Sequence, residues 1–169
     1  VGVETYSKKT FSPQRYEIWT MQSSWHNLPE FEPESAQYQQ QPGLEFAARD
    51  VAVSDALDAI TMDIAPAYGA VPGLGFYRRR VQLSANGLTL QEETDFSRTV
   101  ALTLMSVEKP AVEGGTVQFG TLAAAHIKGF ARIATEAVPI TDPRLRQAWP
   151  DTLYRTRICF TGALTVEVQ

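Results

Sequence analysis

Cysteine and histidine are scarce in this sequence, which limits the disulfide bonds and metal sites that the chain can form. Cys159 is the only cysteine, and there are two histidines in 169 residues. The sequence therefore excludes an internal disulfide and a zinc cluster built from several thiolates. It also has no apolar run near the roughly 20 residues that a membrane-spanning helix needs, so we expect no membrane partner.

Positive charge is not in excess either. The chain has 15 Lys and Arg against 19 Asp and Glu, for a net charge of -4. Nucleic-acid-binding proteins need a basic surface to neutralise phosphates, so we expect no nucleic-acid partner. A hydrophobic content of 44% with 20% charged residues is typical of a soluble globular domain with its own core.

Alternation of apolar and polar residues fills most of the chain, which is typical of strands with one buried face. Many such segments are separated by Gly and Pro turns, and this arrangement favours two packed antiparallel layers. The predicted fold class is therefore all-β, an antiparallel two-layer β-sandwich. Besides the two hairpins described next, the pattern predicts strands over residues 14–23, 44–53, 59–65, 99–107, 116–119 and 130–135.

The clearest hairpin is predicted over residues 77–93, with Asn86-Gly87 as a two-residue turn. This turn would place Leu83 opposite Leu90. On the other face, it would pair Arg80 with Glu93 and Arg78 with Asp95. Arg79 would be left without a partner on the opposite face.

A second hairpin is predicted at the end of the chain. Tyr154, Ile158 and Phe160 share one face, and Leu164, Val166 and Val168 continue it after Thr161-Gly162-Ala163. A three-residue loop there would place Ile158 opposite Val166 and Arg157 opposite Glu167.

Helix signals are confined to one place. Asp142-Pro143 offers an N-cap and a proline at the first helical position, followed by Leu145, Ala148 and Trp149 on one face. We therefore expect one short helix near residues 142–149. The stretch from Asn27 to Gly43 is predicted to be one long polar loop.

Several segments resemble the heparinase II/III-like family of polysaccharide lyases. They are residues 10–27 (TFSPQRYEIWTMQSSWHN), 46–51 (FAARDV), 62–68 (MDIAPAY) and 141–145 (TDPRL) with Trp149 after it. Together they are spread over most of the chain. The chain departs from the family pattern at residues 32–35 (EPES), where relatives carry an Asn-Gly turn.

The resemblance implies that residues 1–169 are a single supersandwich-like β-sandwich domain, the C-terminal part of a larger enzyme. The first residue, Val1, also favours a piece of a longer chain. Such enzymes cleave heparin- or heparan-sulfate-like or alginate-like polymers by β-elimination, and their helical toroid domain supplies catalytic residues. That domain would lie upstream, so the fragment is expected to be inactive alone. Acidic polysaccharide is the expected partner, and a periplasmic or secreted location is expected for the parent.

His26 is the main candidate functional residue. The resemblance implies that it can join an upstream carboxylate and another histidine around a structural zinc ion, with Asn27 orienting it. Trp25, which lies next to His26 near a loop, and Asn27 are candidate substrate-binding residues. The alternative for His26 is a strand-end cap acting through hydrogen bonds with Asn27. His126, in a different segment, is expected to be structural, and Trp19 is expected in the core.

Arg79 is the remaining candidate for substrate binding, because Arg78-Arg79-Arg80 could hold a sulfate or carboxylate group. The alternative is a charge-balanced, solvated strand face. At the level of the whole chain, the alternative to a lyase domain is a non-catalytic sandwich that binds carbohydrate or supports a neighbouring domain. No serine nucleophile elbow, phosphate loop or dinucleotide fingerprint is present.

Overall fold

The computed structural model describes residues 1–35 and 38–169, and the prediction of an all-β sandwich is confirmed. The strands are antiparallel wherever they pair. They are β1 (Pro29–Phe31), β2 (Arg49–Val53), β3 (Ala59–Asp63), β4 (Tyr77–Ser84), β5 (Gly87–Thr94), β6 (Val100–Ser106), β7 (Pro110–Glu113), β8 (Thr116–Phe119), β9 (Ala123–Pro139) and β10 (Thr152–Val168). In the described ranges, no helix is long and apolar enough to cross a bilayer.

The strand order is β2-β3-β4-β5-β10-β9-β8-β7, and β6 also pairs with β10 and carries β1 on its far side. The long strand β10 joins the two parts of the sandwich. Its first half, Tyr154 to Phe160, pairs with β6, and its second half, Ala163 to Val168, pairs with β5. The inward side chains of both parts meet in one core, which includes Tyr77, Leu90, Leu102, Ile158, Phe160 and Val166.

The predicted C-terminal hairpin is wrong, because the chain does not reverse at Thr161-Gly162-Ala163. Gly162 has a φ of 73° within β10, and the register against β9 shifts between Phe160 and Thr165. A residue with positive φ at such a shift bends a strand without ending it. Consequently Ile158 pairs with Leu102 and Ile133, and Val166 pairs with Leu90 and Ile127.

The hairpin of β4 and β5 is present, but its predicted register is wrong by two residues. The turn is Ala85-Asn86, since Ser84 already pairs with Gly87. Gly87 is the first residue of β5, and glycine is required there because a Cβ would clash with the carbonyl oxygen of Val168. The pairs are therefore Leu83 with Leu88, Arg80 with Gln91, Arg79 with Glu92 and Arg78 with Glu93.

The strand predicted over residues 14–23 is also wrong. This region forms short 3-10 turns at Lys9–Phe11, Pro13–Glu17, Trp19–Met21 and Ser23–Trp25. Pro13 starts one of them, and the Ser12 hydroxyl accepts the N–H of Gln14, so local bonds replace a strand ladder. Trp19 and Trp25 of this segment instead pack against an apolar cluster that includes Val138, Leu145 and Leu153.

The remaining predicted elements differ mainly in length. The strand at Thr116–Phe119 is confirmed, and the one at 130–135 lies inside the much longer β9. The predicted helix is a 3-10 turn, Leu145–Gln147, whose N–H groups at Arg144 and Leu145 donate to Asp142. The predicted loop from Asn27 to Gly43 contains β1, and its residues 36 and 37 lie outside the described residues.

Candidate functional site

The segment Trp25-His26-Asn27 links the last N-terminal turn to β1, and Asn27 fastens it to the sheet. The side-chain Oδ1 of Asn27 accepts the N–H of Met105 on β6 at 3.1 Å. Its carbonyl oxygen accepts Nη1 of Arg79 on β4 at 2.9 Å. Asn27 thus connects two strands from different parts of the sandwich and attaches the segment to both.

His26 is half-buried and is tied to the preceding turn rather than to a carboxylate. Its Nε2 lies 3.0 Å from the carbonyl oxygen of Thr20. Because a carbonyl can only accept, this nitrogen carries the proton, and Nδ1 is the ring atom left to act as a base or ligand. His126 lies elsewhere, on β9, with Nδ1 3.2 Å from the hydroxyl of Thr116.

The described residues do not form a zinc site on their own. Among them, no group of three or more His, Cys, Asp or Glu side chains is placed to hold a metal ion. Zinc sites in proteins use three or four such ligands. His26 could therefore contribute one ligand at most, and the predicted zinc depends on ligands from other protein.

Arg79 lies inside the sandwich, in a buried ion pair with Glu92. Its Nε donates to Oε1 of Glu92 at 2.8 Å, and Nη2 donates to the same oxygen. The side chains are 11% and 0% exposed, respectively. Burial raises the pKa of Glu92 above its usual range, although the charge of Arg79 opposes the rise. The pair also positions Asn27, because the remaining bonded group of Arg79, Nη1, donates to the Asn27 carbonyl oxygen.

Two tyrosines complete this buried polar cluster. The hydroxyl of Tyr68 donates to the carbonyl oxygen of Pro29 at 2.7 Å. Tyr77 lies on β4 beside the ion pair and is fully buried. Burial raises the pKa of both phenols, and the charge of Glu92 raises the pKa of Tyr77 further. Such phenols are poor proton acceptors at neutral pH.

A second buried arginine, Arg155 on β10, holds the segment from the other side. Its guanidinium carbon lies 4.0 Å from the ring centre of Trp25, and its Nη1 donates to the carbonyl oxygen of Ser24 at 3.2 Å. Its Nε donates to Glu136, and Glu30 lies 3.8 Å away. Burial raises the pKa of Glu30, and the charge of Arg155 opposes the rise only in part. Trp25 is therefore covered on one ring face by a charged protein group.

A cleft of about 390 Å³ opens beside Asn27. Its walls are mainly apolar, and the aromatic residues on them are Trp149 and Phe119. The indole N–H of Trp149 donates to the carbonyl oxygen of Val1 at 3.2 Å, which fixes the ring. Trp25 meets Trp19 edge-on at 5.1 Å, and both belong to the apolar cluster beneath the turns.

Sequence reasoning found Trp25, His26, Asn27 and Arg79, and the structure brings Asn27 and Arg79 into contact. It missed Arg155, Glu30 and Glu92, which are buried and carry the segment. Strand alternation places Arg155 on the same face of β10 as Leu153 and Cys159, but it does not indicate which residues Arg155 contacts.

A scan against protein-family models finds no matching family, and a search of curated proteins finds no match. The resemblance to heparinase II/III-like proteins therefore stays a prediction from the sequence.

Proposed function

We propose that this chain is the β-sandwich part of a polysaccharide lyase that acts on uronate-containing polymers of the heparan sulfate or alginate kind. In this proposal it supplies a wall of the substrate cleft. The observation that carries the proposal is the position of Asn27. The segment with the family-like sequence is hydrogen-bonded to β4 and β6, and Asn27 lines a cleft that also contains Trp149.

The chemistry of β-elimination explains how such a wall would be used. The C5 proton of a uronate is removable only when the sugar carboxylate is neutralised by hydrogen-bond donors or positive charge. Oδ1 of Asn27 already accepts from Met105, so its NH2 group supplies donors that can meet a carboxylate or hydroxyl. Trp149 offers an apolar ring against which a sugar can pack.

The acid and base are proposed to come from another part of the enzyme. Tyr68 and Tyr77 are buried with raised pKa values, and Nε2 of His26 already donates to the carbonyl of Thr20. A zinc ion next to His26 and a periplasmic or secreted location belong to the same proposal. Trp25 suits sugar contact less well than Trp149, because Arg155 covers one of its faces.

Affinity electrophoresis and a lyase assay test this function together. The chain is run through gels containing heparan sulfate, alginate or a neutral glucan, and is also incubated with each polymer while unsaturated uronate is followed by ultraviolet absorbance. We expect retardation by an acidic polymer, no retardation by the glucan, and no product. Asn27→Ala is expected to reduce the retardation, with exposed Lys109→Ala as the control.

Two results would contradict the proposal. Equal migration in all gels would show that the chain does not prefer acidic polymers. Clear product formation by this chain would contradict the proposal that the acid and base lie in another domain. Extending the polypeptide upstream should restore product formation if the proposed division is correct.

A non-catalytic carbohydrate-binding module is the second candidate. It is favoured by the bonding of the two histidines, whose described hydrogen bonds go to Thr20 and Thr116 rather than to a tyrosine or a carboxylate. Retardation by acidic polymers without any product from the upstream-extended polypeptide would select this function.

A further inference from the structure

A row of polar residues crosses the outer face of the sandwich, on the side away from the buried cluster. Thr61, Arg80, Gln91, Thr165 and Lys128 lie directly opposite one another on β3, β4, β5, β10 and β9. With neighbouring strands about 4.8 Å apart, the row is about 19 Å long. Their sequence neighbours turn towards the core, namely Val81, Leu90, Val166 and Ile127.

Arg80 is the cation in this row that has no acidic partner. Within residues 1–35 and 38–169, its hydrogen bond is a long one of 3.4 Å to Gln82, and no carboxylate lies within 4.0 Å of it. Lys128, by contrast, is 2.9 Å from Glu167. Asp58 interacts with Arg80 only at longer range, and the hydroxyl of Ser54 is the larger reason that the pKa of Asp58 is lowered.

The surface around Arg80 is concave. A cavity of about 280 Å³ is lined by Thr61, Arg80, Gln91 and Thr165, with the ion pair of Arg78 and Glu93 at one side. One half-buried guanidinium, one amide and two hydroxyls thus border a single space. Guanidinium groups bind carboxylate and sulfate oxygens through paired N–H donors, and neutral donors beside them add bonds without adding charge repulsion.

We propose that Arg80, with Thr61, Gln91 and Thr165, binds the oxyanion group of an acidic sugar, either a carboxylate or a sulfate. The positive charge in the row is complementary to such a group. The identity of the sugar rests on the proposed function, whereas the oxyanion site does not. The row would hold the polymer at a place separate from the cleft beside Asn27.

NMR titration with small probes tests the site. Sodium glucuronate, inorganic sulfate and neutral glucose are added separately to the chain, and amide shifts are followed. We expect saturable shifts at Thr61, Arg80, Gln91 and Thr165 with glucuronate, sulfate or both, and none with glucose. Arg80→Gln should weaken binding at least tenfold, and exposed Lys109→Gln, which also removes one positive charge, should leave it unchanged.

Each outcome has a defined meaning. Response to glucuronate alone assigns a carboxylate, and response to sulfate alone assigns a sulfate group. Absence of shifts in the row for the unsubstituted chain overturns the site, as does equal binding by the Arg80→Gln variant or an equal loss in Lys109→Gln. Because Arg80 lies on a solvated face, the Arg80→Gln variant should have the same melting temperature as the unsubstituted chain. If the small probes shift the amide signals of the row but no acidic polymer retards the chain in the gels, the oxyanion site stands and the proposed function is rejected.

Discussion

Arg79 and Arg80 are adjacent on β4, yet they lie in opposite environments. Arg79 points into the sandwich, where Glu92 and the Asn27 carbonyl take its donors. Arg80 points to the outer face, where its one hydrogen bond to another described residue is a long one to Gln82. A strand alternates its side chains between faces, so one residue of separation is enough to give two arginines different tasks.

The difference shows where charge contributes to structure and where it is available for binding. The buried pair of Arg79 and Glu92 fixes the Asn27 segment through the donors of Arg79, although Oε2 of Glu92 has no hydrogen-bond partner among the described residues. Removing one member of such a pair leaves the charge of the other uncompensated. A half-buried guanidinium that has no carboxylate partner still has N–H groups free to donate to a ligand anion. The inner face of the β4–β5 hairpin therefore holds the Trp25-His26-Asn27 segment, while the outer face is free to meet solutes.

Replacing Arg79 should have the largest effect. Arg79→Met leaves the buried carboxyl of Glu92 without its partner and releases the Asn27 carbonyl. We expect the free energy of unfolding, measured by urea denaturation, to fall by about 3 to 5 kcal/mol.

The same strand provides the control. Arg78→Met breaks the exposed pair with Glu93 and should cost less than about 1 kcal/mol. The double variant Arg79→Met/Glu92→Leu should recover much of the stability, because no buried charge remains unpaired. Equal losses for Arg78→Met and Arg79→Met would contradict the contrast between the two faces.

Asp63 should give an intermediate effect, because it receives donors from β2, from β4 and from the 3-10 turn that follows β3. Burial alone would raise its pKa, but the N–H groups of Tyr77 and Ala65 and the Arg49 guanidinium lower it below the usual value. Its carboxylate therefore stabilises the fold above the ordinary Asp pKa of about 3.9, and this stabilisation is lost as the pH falls through the lower native value.

Asp63→Asn should accordingly cost about 1 to 3 kcal/mol at pH 7. The variant should also lose less stability than the unsubstituted chain when the pH is lowered below about 4. Urea denaturation at several pH values measures both quantities. Identical pH dependence in the two proteins would show that Asp63 is not ionised in the native state as described.

Arg155→Lys should have the smallest effect, because it keeps the charge but loses the planar stack on Trp25 and the fork of donors. We expect a loss of about 1 kcal/mol and a change in tryptophan fluorescence. Arg144→Lys is the matched control, since Arg144 lies 4.2 Å from the ring centre of the exposed Tyr6. If both variants behaved alike, Arg155 would not hold Trp25.

Fold class could be predicted from the sequence because alternation survives in most strands, as in residues 77–83 and 116–119. Strand length and pairing could not. Gly162 is read as a turn residue, although its positive φ only bends β10. Gly87 is read as part of the turn, although it is required by the approach of Val168 from a distant part of the chain.

The candidate site was predicted in part for a related reason. The His26-Asn27 dipeptide is visible in the sequence, and so is the arginine run at 78–80. The partner of Arg79 follows from a register that is two residues away from the one that the turn residues favour. The contact of Arg155 with Ser24 joins residues 131 positions apart, which no local pattern encodes.

The central claim is that the outer face of this sandwich binds acidic sugar through Arg80 while the inner face maintains the fold. Thermal denaturation with and without a uronate oligosaccharide tests it most directly, because a ligand that binds the native state raises the melting temperature. The account predicts a rise for the unsubstituted chain and none for Arg80→Gln, with equal melting temperatures for the two proteins without ligand. An equal rise in both proteins, or no rise in either, would contradict the claim.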